Sequence, residues 1–196
     1  MKLFGECMEQ ENIPTIKPEP EWMAQIESDR RLNISSCYQC RKCTNGCPVT
    51  FAMDIYPDQV IRLVQLGQRD RVLRCNTIWI CAACETCTTR CPNDVDIAGI
   101  MDYLKERAIE AGVHVPEQKT YIFHSVFLND VKRRGRVFEG RLMQSYMIKS
   151  GELWNKIKDG SIKEEISLGW TLFRKGRLRI LPKGIKAKKE VRKILM

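Results

Sequence analysis

The stretch Cys37-Tyr38-Gln39-Cys40-Arg41-Lys42-Cys43-Thr44-Asn45-Gly46-Cys47-Pro48 is answered by Cys81-Ala82-Ala83-Cys84-Glu85-Thr86-Cys87-Thr88-Thr89-Arg90-Cys91-Pro92. Both read C-x2-C-x2-C-x3-C-P. Every cysteine of the second run lies 44 residues after its counterpart in the first. Thr44 matches Thr88 and Pro48 matches Pro92, and the two runs are the one clear internal repeat of the chain. They account for eight of its ten cysteines.

This spacing is the one that wraps thiolates around a cubane of four irons and four sulfides. Three cysteines two residues apart line one face of a cluster on a tight loop. The intervening backbone N–H groups then point at the sulfides. The proline after the fourth cysteine turns the chain away. In two-cluster proteins with this run the fourth cysteine ligates the other cluster. The expected ligand sets are therefore Cys37, Cys40, Cys43 and Cys91 for one [4Fe–4S] cluster, and Cys81, Cys84, Cys87 and Cys47 for the second. Zinc would ask for paired C-x2-4-C knuckles, often with histidine. The only histidines, His114 and His124, are remote from both runs in sequence. A disulfide scaffold is disfavoured too, because 10 cysteines in 196 residues is below the roughly 8–10% typical of such chains.

The bulk numbers fit a domain with extended arms. The chain is 196 residues long and 43% hydrophobic, with a net charge of +9. That charge sits at one end. From Arg174 onward there are ten Lys/Arg and one Glu, while the first 173 residues hold 23 basic and 23 acidic residues. A basic tail can bind nucleic acid or an anionic membrane, or steer docking to an acidic protein surface. The N-terminus, MKLFGECMEQENIPTIKPEPE, has no apolar signal region. The longest uncharged runs fall short of the ~18 residues of a spanning helix. A reducing, cytoplasmic setting is expected, where free cysteines bind metal rather than cross-link.

Read along its length, the chain is mostly α. An N-terminal arm and short helix occupy 1–30, with Trp22 and Ile26 one turn apart. An α-helical, two-cluster domain follows over 31–134. Pro57-Asp58 opens a helical stretch to about Arg74, which Gly67 breaks or bends. Asp96 caps a helix to about Ala111, with Ile97, Ile100, Met101, Leu104 and Ala108 as its stripe and Gly112 as its stop. Helices are expected over Pro116–Lys132, on an apolar side of Tyr121, Ile122, Val126 and Phe127, and near Arg141–Lys149 and Ser161–Phe173. The segment 135–196 reads as a helical, basic extension that binds a partner. Each cysteine loop leads into an Asp-Ile pair, Asp54-Ile55 and Asp96-Ile97, which points to loop–helix units in a pseudo-twofold. Cys7 and Cys75 fall outside the pattern and read as surface or partly buried thiols. Trp79 reads as core or as shielding beside the second loop. Arg41, Lys42 and Arg90 stand among the ligands as solvent-facing cations. No G-x-G-x-x-G and no paired acid and base stand out, so the chain has no evident flavin, nicotinamide or substrate site.

Three segments in this order, NISSCYQCRKCTNGCPV at 33–49, CAACETCTTRCP at 81–92 and GWTLFRKGRL at 169–178 with its basic continuation, resemble the C subunits of the heterodisulfide reductases. The resemblance covers most of the chain from about Trp22. It implies an α-helical ferredoxin fold with two [4Fe–4S] clusters. It also implies a hetero-oligomeric oxidoreductase complex in which this chain is a non-catalytic relay. Electrons would pass through it from an A-type subunit bearing flavin and iron–sulfur groups to a B-type subunit. In that family the catalytic clusters sit in the B-type subunit on CCG motifs. This sequence has no adjacent Cys-Cys, so catalysis would belong to a partner.

Two other readings compete. The iron–sulfur subunit of a succinate/fumarate-type oxidoreductase carries a plant-type [2Fe–2S] domain ahead of the helical one, whereas only Cys7 precedes Cys37 here. Glycolate-type subunits add CCG motifs, which are absent. A nucleic-acid-binding redox sensor would use the basic tail, yet that tail lacks aromatics for base stacking and no helix-turn-helix is evident. No nucleic-acid partner is therefore expected.

Overall fold

The computed structural model of the protein describes residues 18–30, 32–177, 185 and 187–194. Cys7, the arm ahead of Pro18 and most of the basic tail beyond Arg177 lie outside the described residues. No strand occurs among the described residues, and helices make up most of them. The chain divides into two compact units, Met1–Pro116 and Glu117–Met196.

The first unit contains α1 (Pro20–Arg30), α2 (Lys42–Asn45), α3 (Pro57–Gln65), α4 (Arg69–Arg74), α5 (Thr77–Ile80), α6 (Thr86–Thr89) and α7 (Ile97–Glu110). A 3-10 turn at Thr50–Ala52 follows the first cysteine loop. Helix α3 starts where expected because Pro57 fits the first helical position. The Gln59 side chain accepts from the Tyr56 N–H at 2.9 Å, which satisfies one otherwise orphaned donor. Asp96 caps α7 by accepting from the Gly99 N–H at 2.9 Å. A Cβ at residue 99 would lie 2.3 Å from the Asp96 carboxylate, so the cap closes because residue 99 is glycine.

The core is a layer of aliphatic side chains from α1, α3, α4, α5 and α7. Ile26, Ile34, Val60, Ile61, Val64, Val72, Ile78, Ile100 and Leu104 are fully buried. Trp22 joins Ile26 on the buried face of α1. Trp79 is a core residue of α5, buried beside Ile78. Burying a side chain of this size contributes about 1.5–3 kcal/mol.

Residue 67 divides the stretch from Pro57 to Arg74 into two helices. Gly67 adopts φ +68°, the left-handed conformation that glycine enters at little cost. It also lets the chain ahead of α1 approach closely, since the Glu19 N–H donates to the Leu66 carbonyl at 3.3 Å. A Cβ on Gly67 would meet the Glu19 carbonyl oxygen at 2.2 Å.

The second unit contains α8 (Gln118–Arg134), α9 (Glu139–Lys149), α10 (Glu152–Lys158), α11 (Ile162–Arg174) and α12 (Lys188–Ile194). Helix α8 packs on α9 and α12, α9 on α10, and α10 on α11. Asp130 is buried, accepts from the Phe138 N–H at 2.8 Å and pairs with Arg134 at 3.1 Å. The apolar side expected on α8 is only partly covered. Val126 is buried, Tyr121 and Ile122 are half-buried, and Phe127 is exposed with Phe123 and Leu128. Of the expected stripe, the neighbouring residues bury Val126 and half-bury Tyr121 and Ile122, while Phe127 departs from it.

Gly67→Ala is expected to cost roughly 3 kcal/mol or more, because backbone strain and a backbone clash add. Gly112 shares the left-handed backbone, at φ +62°, but faces open space, so Gly112→Ala should cost only about 1–2 kcal/mol. Denaturant unfolding of both variants checks this, and equal losses would contradict it.

Candidate metal centre

The two cysteine loops share one backbone conformation, residue for residue. Gln39 and Ala83 have φ of 63° and 50°, and Arg41 and Glu85 have 62° and 58°. Each pair is 44 residues apart, as the cysteines are. The short helices α2 and α6 start at equivalent positions behind Arg41 and Glu85. The Cys47 N–H donates to the Thr44 carbonyl and the Cys91 N–H to the Thr88 carbonyl, each at 3.1 Å. Non-glycine residues in the left-handed region cost about 1–3 kcal/mol each and persist where the surroundings fix them. Such turns aim backbone N–H groups into concavities that bind anions, iron–sulfur clusters among them.

Thr44 and Thr88 join each loop to the helix that follows it. The Thr44 hydroxyl donates to the Asp58 carboxylate and accepts from the Asp58 N–H at 3.2 Å. The Thr88 hydroxyl donates to Asp96 and accepts from the Ala98 N–H, both at 3.2 Å. Asp58 and Ala98 are the second residues of α3 and α7. The structural counterpart of Asp96-Ile97 is therefore Tyr56-Pro57, not Asp54-Ile55. The 3-10 turn is the extra length that moved it.

Asp54 has a different role. It accepts from the Asn76 N–H at 2.9 Å, the Thr77 N–H at 3.2 Å and the Thr77 hydroxyl at 2.8 Å. These bonds hold its carboxyl below the usual range against the opposing effect of burial. They fasten the chain leaving loop one to the chain entering loop two. The reciprocal tie also exists, because the Asn93 side chain, just past loop two, donates to the Ser36 carbonyl, just before loop one. Helices α2 and α6 pack together. Where they do, the Arg90 side chain lies across Gly46, with its Nη1 at 2.7 Å from where a Cβ would be. Gly46 and Arg90 are counterparts in the repeat, so one is small where the other is large.

The eight cysteines of the two runs all lie in the first unit. Cys47 lines a single apolar cavity with Cys81, Cys84 and Cys87, beside Val49, Met53, Ile97 and Met101. On the other side, Tyr38 stands within electrostatic reach of Cys40, Cys91 and Cys37. Cys43 is buried, Cys40 and Cys84 are exposed, and the others are half-buried. Several sulfurs face donors: the Val95 N–H points at Cys91 Sγ at 3.4 Å and Gln39 Nε2 at Cys37 Sγ at 3.5 Å. Among the described residues, no three His, Cys, Asp or Glu converge on a point that one ion could fill. A cubane requires a different arrangement, with one thiolate per iron around an extended body. Four thiols around an apolar cavity, with the Ala83, Thr86 and Thr88 N–H groups beside Cys81, Cys84 and Cys87, suit such a group.

Burial pushes the Cys43 thiol up to about 11 and raises Cys81 and Cys87 as well. The nearby Thr86 hydroxyl lowers Cys84. Cys75 is more enclosed than the sequence indicated. It is buried behind α4, and that burial pushes its thiol up to about 11. Asp58 entered the sequence reading only as part of a helix start, and Lys105 and the Asp54 network had no place in it. Lys105 had a usable signal, because it falls one turn after Met101 on the apolar stripe of α7.

Residues 36–96 match the family model described as a 4Fe–4S dicluster domain, and this span contains all eight cysteines of the repeat. The chain is 28% identical over 116 residues to the C subunit of the H(2):CoB-CoM heterodisulfide,ferredoxin reductase of Methanothermobacter marburgensis, covering 56% of this chain and 63% of that protein. It is 29% identical over 117 residues to the iron-sulfur C subunit of the CoB–CoM heterodisulfide reductase of Methanopyrus kandleri, covering 57% and 61%. It is 36% identical over 110 residues to the C 2 iron-sulfur subunit of the CoB–CoM heterodisulfide reductase of Methanocaldococcus jannaschii, covering 56% and 59%. The chain thus spans about 60% of the length of these relatives.

With a pKa of about 11, Cys75 holds about 0.1% thiolate at pH 8. Its alkylation should be slow there and should speed up about tenfold per pH unit up to pH 10. Peptide mass spectrometry after timed iodoacetamide treatment measures this. Rapid, pH-independent labelling of Cys75 would contradict its burial.

Proposed function

We propose that this homologue of heterodisulfide reductase C subunits, with its 4Fe–4S dicluster domain, is the electron-transfer component of a heterodisulfide-reductase-like complex in the cytoplasm. A flavin subunit of the A kind donates to it, and a CCG-motif subunit of the B kind accepts from it. The observation that carries this reading is the cavity lined by Cys47 with Cys81, Cys84 and Cys87. One cysteine of the first run joins three of the second, as a pair of clusters with exchanged fourth ligands requires. Cluster one would be held by Cys37, Cys40, Cys43 and Cys91, and cluster two by Cys81, Cys84, Cys87 and Cys47.

When bound, a [4Fe–4S] cubane takes up and returns one electron with only small changes in its bond lengths. The residues of this chain have three tasks in such a relay. The cysteines fix the clusters, the N–H groups beside Cys37 and Cys91 offset negative charge at sulfur, and the Asp54 and Asn93 ties keep the two loops in register.

The segment 135–196, beyond the cluster domain of 31–134, would serve docking. Residues 117–196 hold 20 Lys/Arg and eight Asp/Glu, a field that speeds encounter with an acidic partner surface. Trp154 and Trp170 are exposed there, and Trp is a residue type enriched among interface anchors. No helix among the described residues is long and apolar enough to cross a membrane.

Anaerobically purified protein should contain about eight irons and eight sulfides per chain, two cubanes' worth. Stoichiometric zinc without sulfide would refute the proposal. Cys47→Ala should reduce iron to about four per chain and leave the spectroscopic signature of the loop-one cluster. Loss of the loop-one signature instead would reverse the ligand exchange.

A further inference from the structure

The two cysteine loops match in backbone, and each has a carboxylate on its threonine, Asp58 on Thr44 and Asp96 on Thr88, but only Asp58 is buried. Among the described residues of the first unit, two side chains of charged type are buried, one by each loop. Asp58 is 5% exposed and lies behind loop one, where it takes the Thr44 hydroxyl next to Cys43. Lys105 is 8% exposed and lies behind loop two, where its Nζ donates to the Cys81 carbonyl at 3.2 Å.

We propose that these two residues make the cluster sites unequal: Asp58 makes the loop-one site the low-potential one and Lys105 makes the loop-two site the high-potential one. An electron that reaches loop one then moves downhill to loop two and is held there. The transfer is one electron, with the loop-one site oxidised and the loop-two site reduced, and no bond or proton changes. The inference rests on the proposed two-cluster function and its exchanged fourth ligands, and adds a direction to it.

Reducing a cubane adds negative charge to the site, so a nearby cation favours the reduced form and a nearby anion opposes it. The exposed charges around the loops have the opposite sense. Arg41 and Lys42 flank loop one, with Arg41 pairing with Asp58 at 3.6 Å while its side chain is 75% exposed. Glu85 lies on loop two, the exposed Asp96 takes the Thr88 hydroxyl, and Asp102 pairs with Lys105 at 3.0 Å while its side chain is 55% exposed. Arg90 lies across Gly46 and stands in sequence between Cys87 of one ligand set and Cys91 of the other, so it is assigned to neither site. Position decides between the two sets. Asp58 and Lys105 act on the sites through protein, whereas the charges of opposite sense stand in solvent, where water and salt screen them.

Burial of the ligands and hydrogen bonds at the sulfurs do not separate the sites. Cys43 is buried and Cys87 half-buried, but the loop-two set lines the apolar cavity, and both loops have partners at sulfur: Gln39 and Val95 at the loop-one set, and Thr86 at Cys84 of the loop-two set.

The test is an anaerobic redox titration of the purified full chain, followed by electron paramagnetic resonance, for the wild type and three variants. Two separate potentials are expected in the wild type. Asp58→Asn, which keeps a hydrogen-bonding partner for Thr44, should raise the lower potential and leave the higher one in place. Lys105→Gln should lower the higher potential and leave the lower one in place. Lys105→Arg keeps the charge and should restore the wild-type value. Iron and sulfide are counted in every sample. Eight irons with two equal potentials, or with Asp58→Asn lowering or sparing the lower one, would overturn the asymmetry alone. Fewer than eight irons in the wild type would overturn the two-cluster function and the inference with it. If Asp58→Asn failed to retain its iron, the Lys105 pair would still decide: no shift in Lys105→Gln overturns the inference.

Discussion

The reciprocal tie between the two cysteine loops is the constraint on which the cluster-binding unit depends. Asp54, leaving loop one, is bonded to Asn76 and Thr77, which lead into loop two. Asn93, leaving loop two, is bonded to Ser36, which leads into loop one. Neither loop can shift without pulling the other. That coupling allows the loops to hold four residues between them in the left-handed region, Gln39, Arg41, Ala83 and Glu85, at about 1–3 kcal/mol each. It also puts Cys47 into the cavity of loop two. A repeat whose halves were independent would have no reason to place it there.

Much of this was legible in the sequence, because cysteine spacing reports directly on loop geometry. The 44-residue offset seen in the cysteines reappears in the backbone angles and in the turn hydrogen bonds. The starts of α3 and α7 were marked by Pro57 and Asp96, and the break at Gly67 by the need for positive φ. What stayed hidden depended on contacts between distant residues. The Asp54 network joins positions 22 and 23 apart in sequence. The Asp-Ile resemblance between the loops also misled, because the 3-10 turn at Thr50–Ala52 displaces the first helix start. Short helices such as α5 and α10 are too brief to leave a periodic signal.

The two units of the chain have different physical characters. The first has an aliphatic core and nearly all the fully buried side chains among the described residues. In the second, α8 buries only Val126 and Asp130, while Trp154, Ile166, Leu168 and Trp170 are exposed among many basic residues. A rigid unit suits cluster positions that must stay fixed during electron transfer. A basic, apolar surface suits contact with another protein. The departures from symmetry within the first unit are equally informative. Gly46 against Arg90 lets the loops close on each other, and Asp58 against Lys105 makes them electrically distinct.

The central claim is that one interlocked unit holds two clusters as near neighbours. The most direct measurement is the electron paramagnetic resonance spectrum of the fully reduced protein, compared with that of protein holding one electron per chain. Two adjacent paramagnets broaden and split each other's lines. Neighbouring clusters predict a simple spectrum at one electron and a broadened, interaction-split spectrum at two. A two-electron spectrum equal to the plain sum of two isolated signals would contradict the claim.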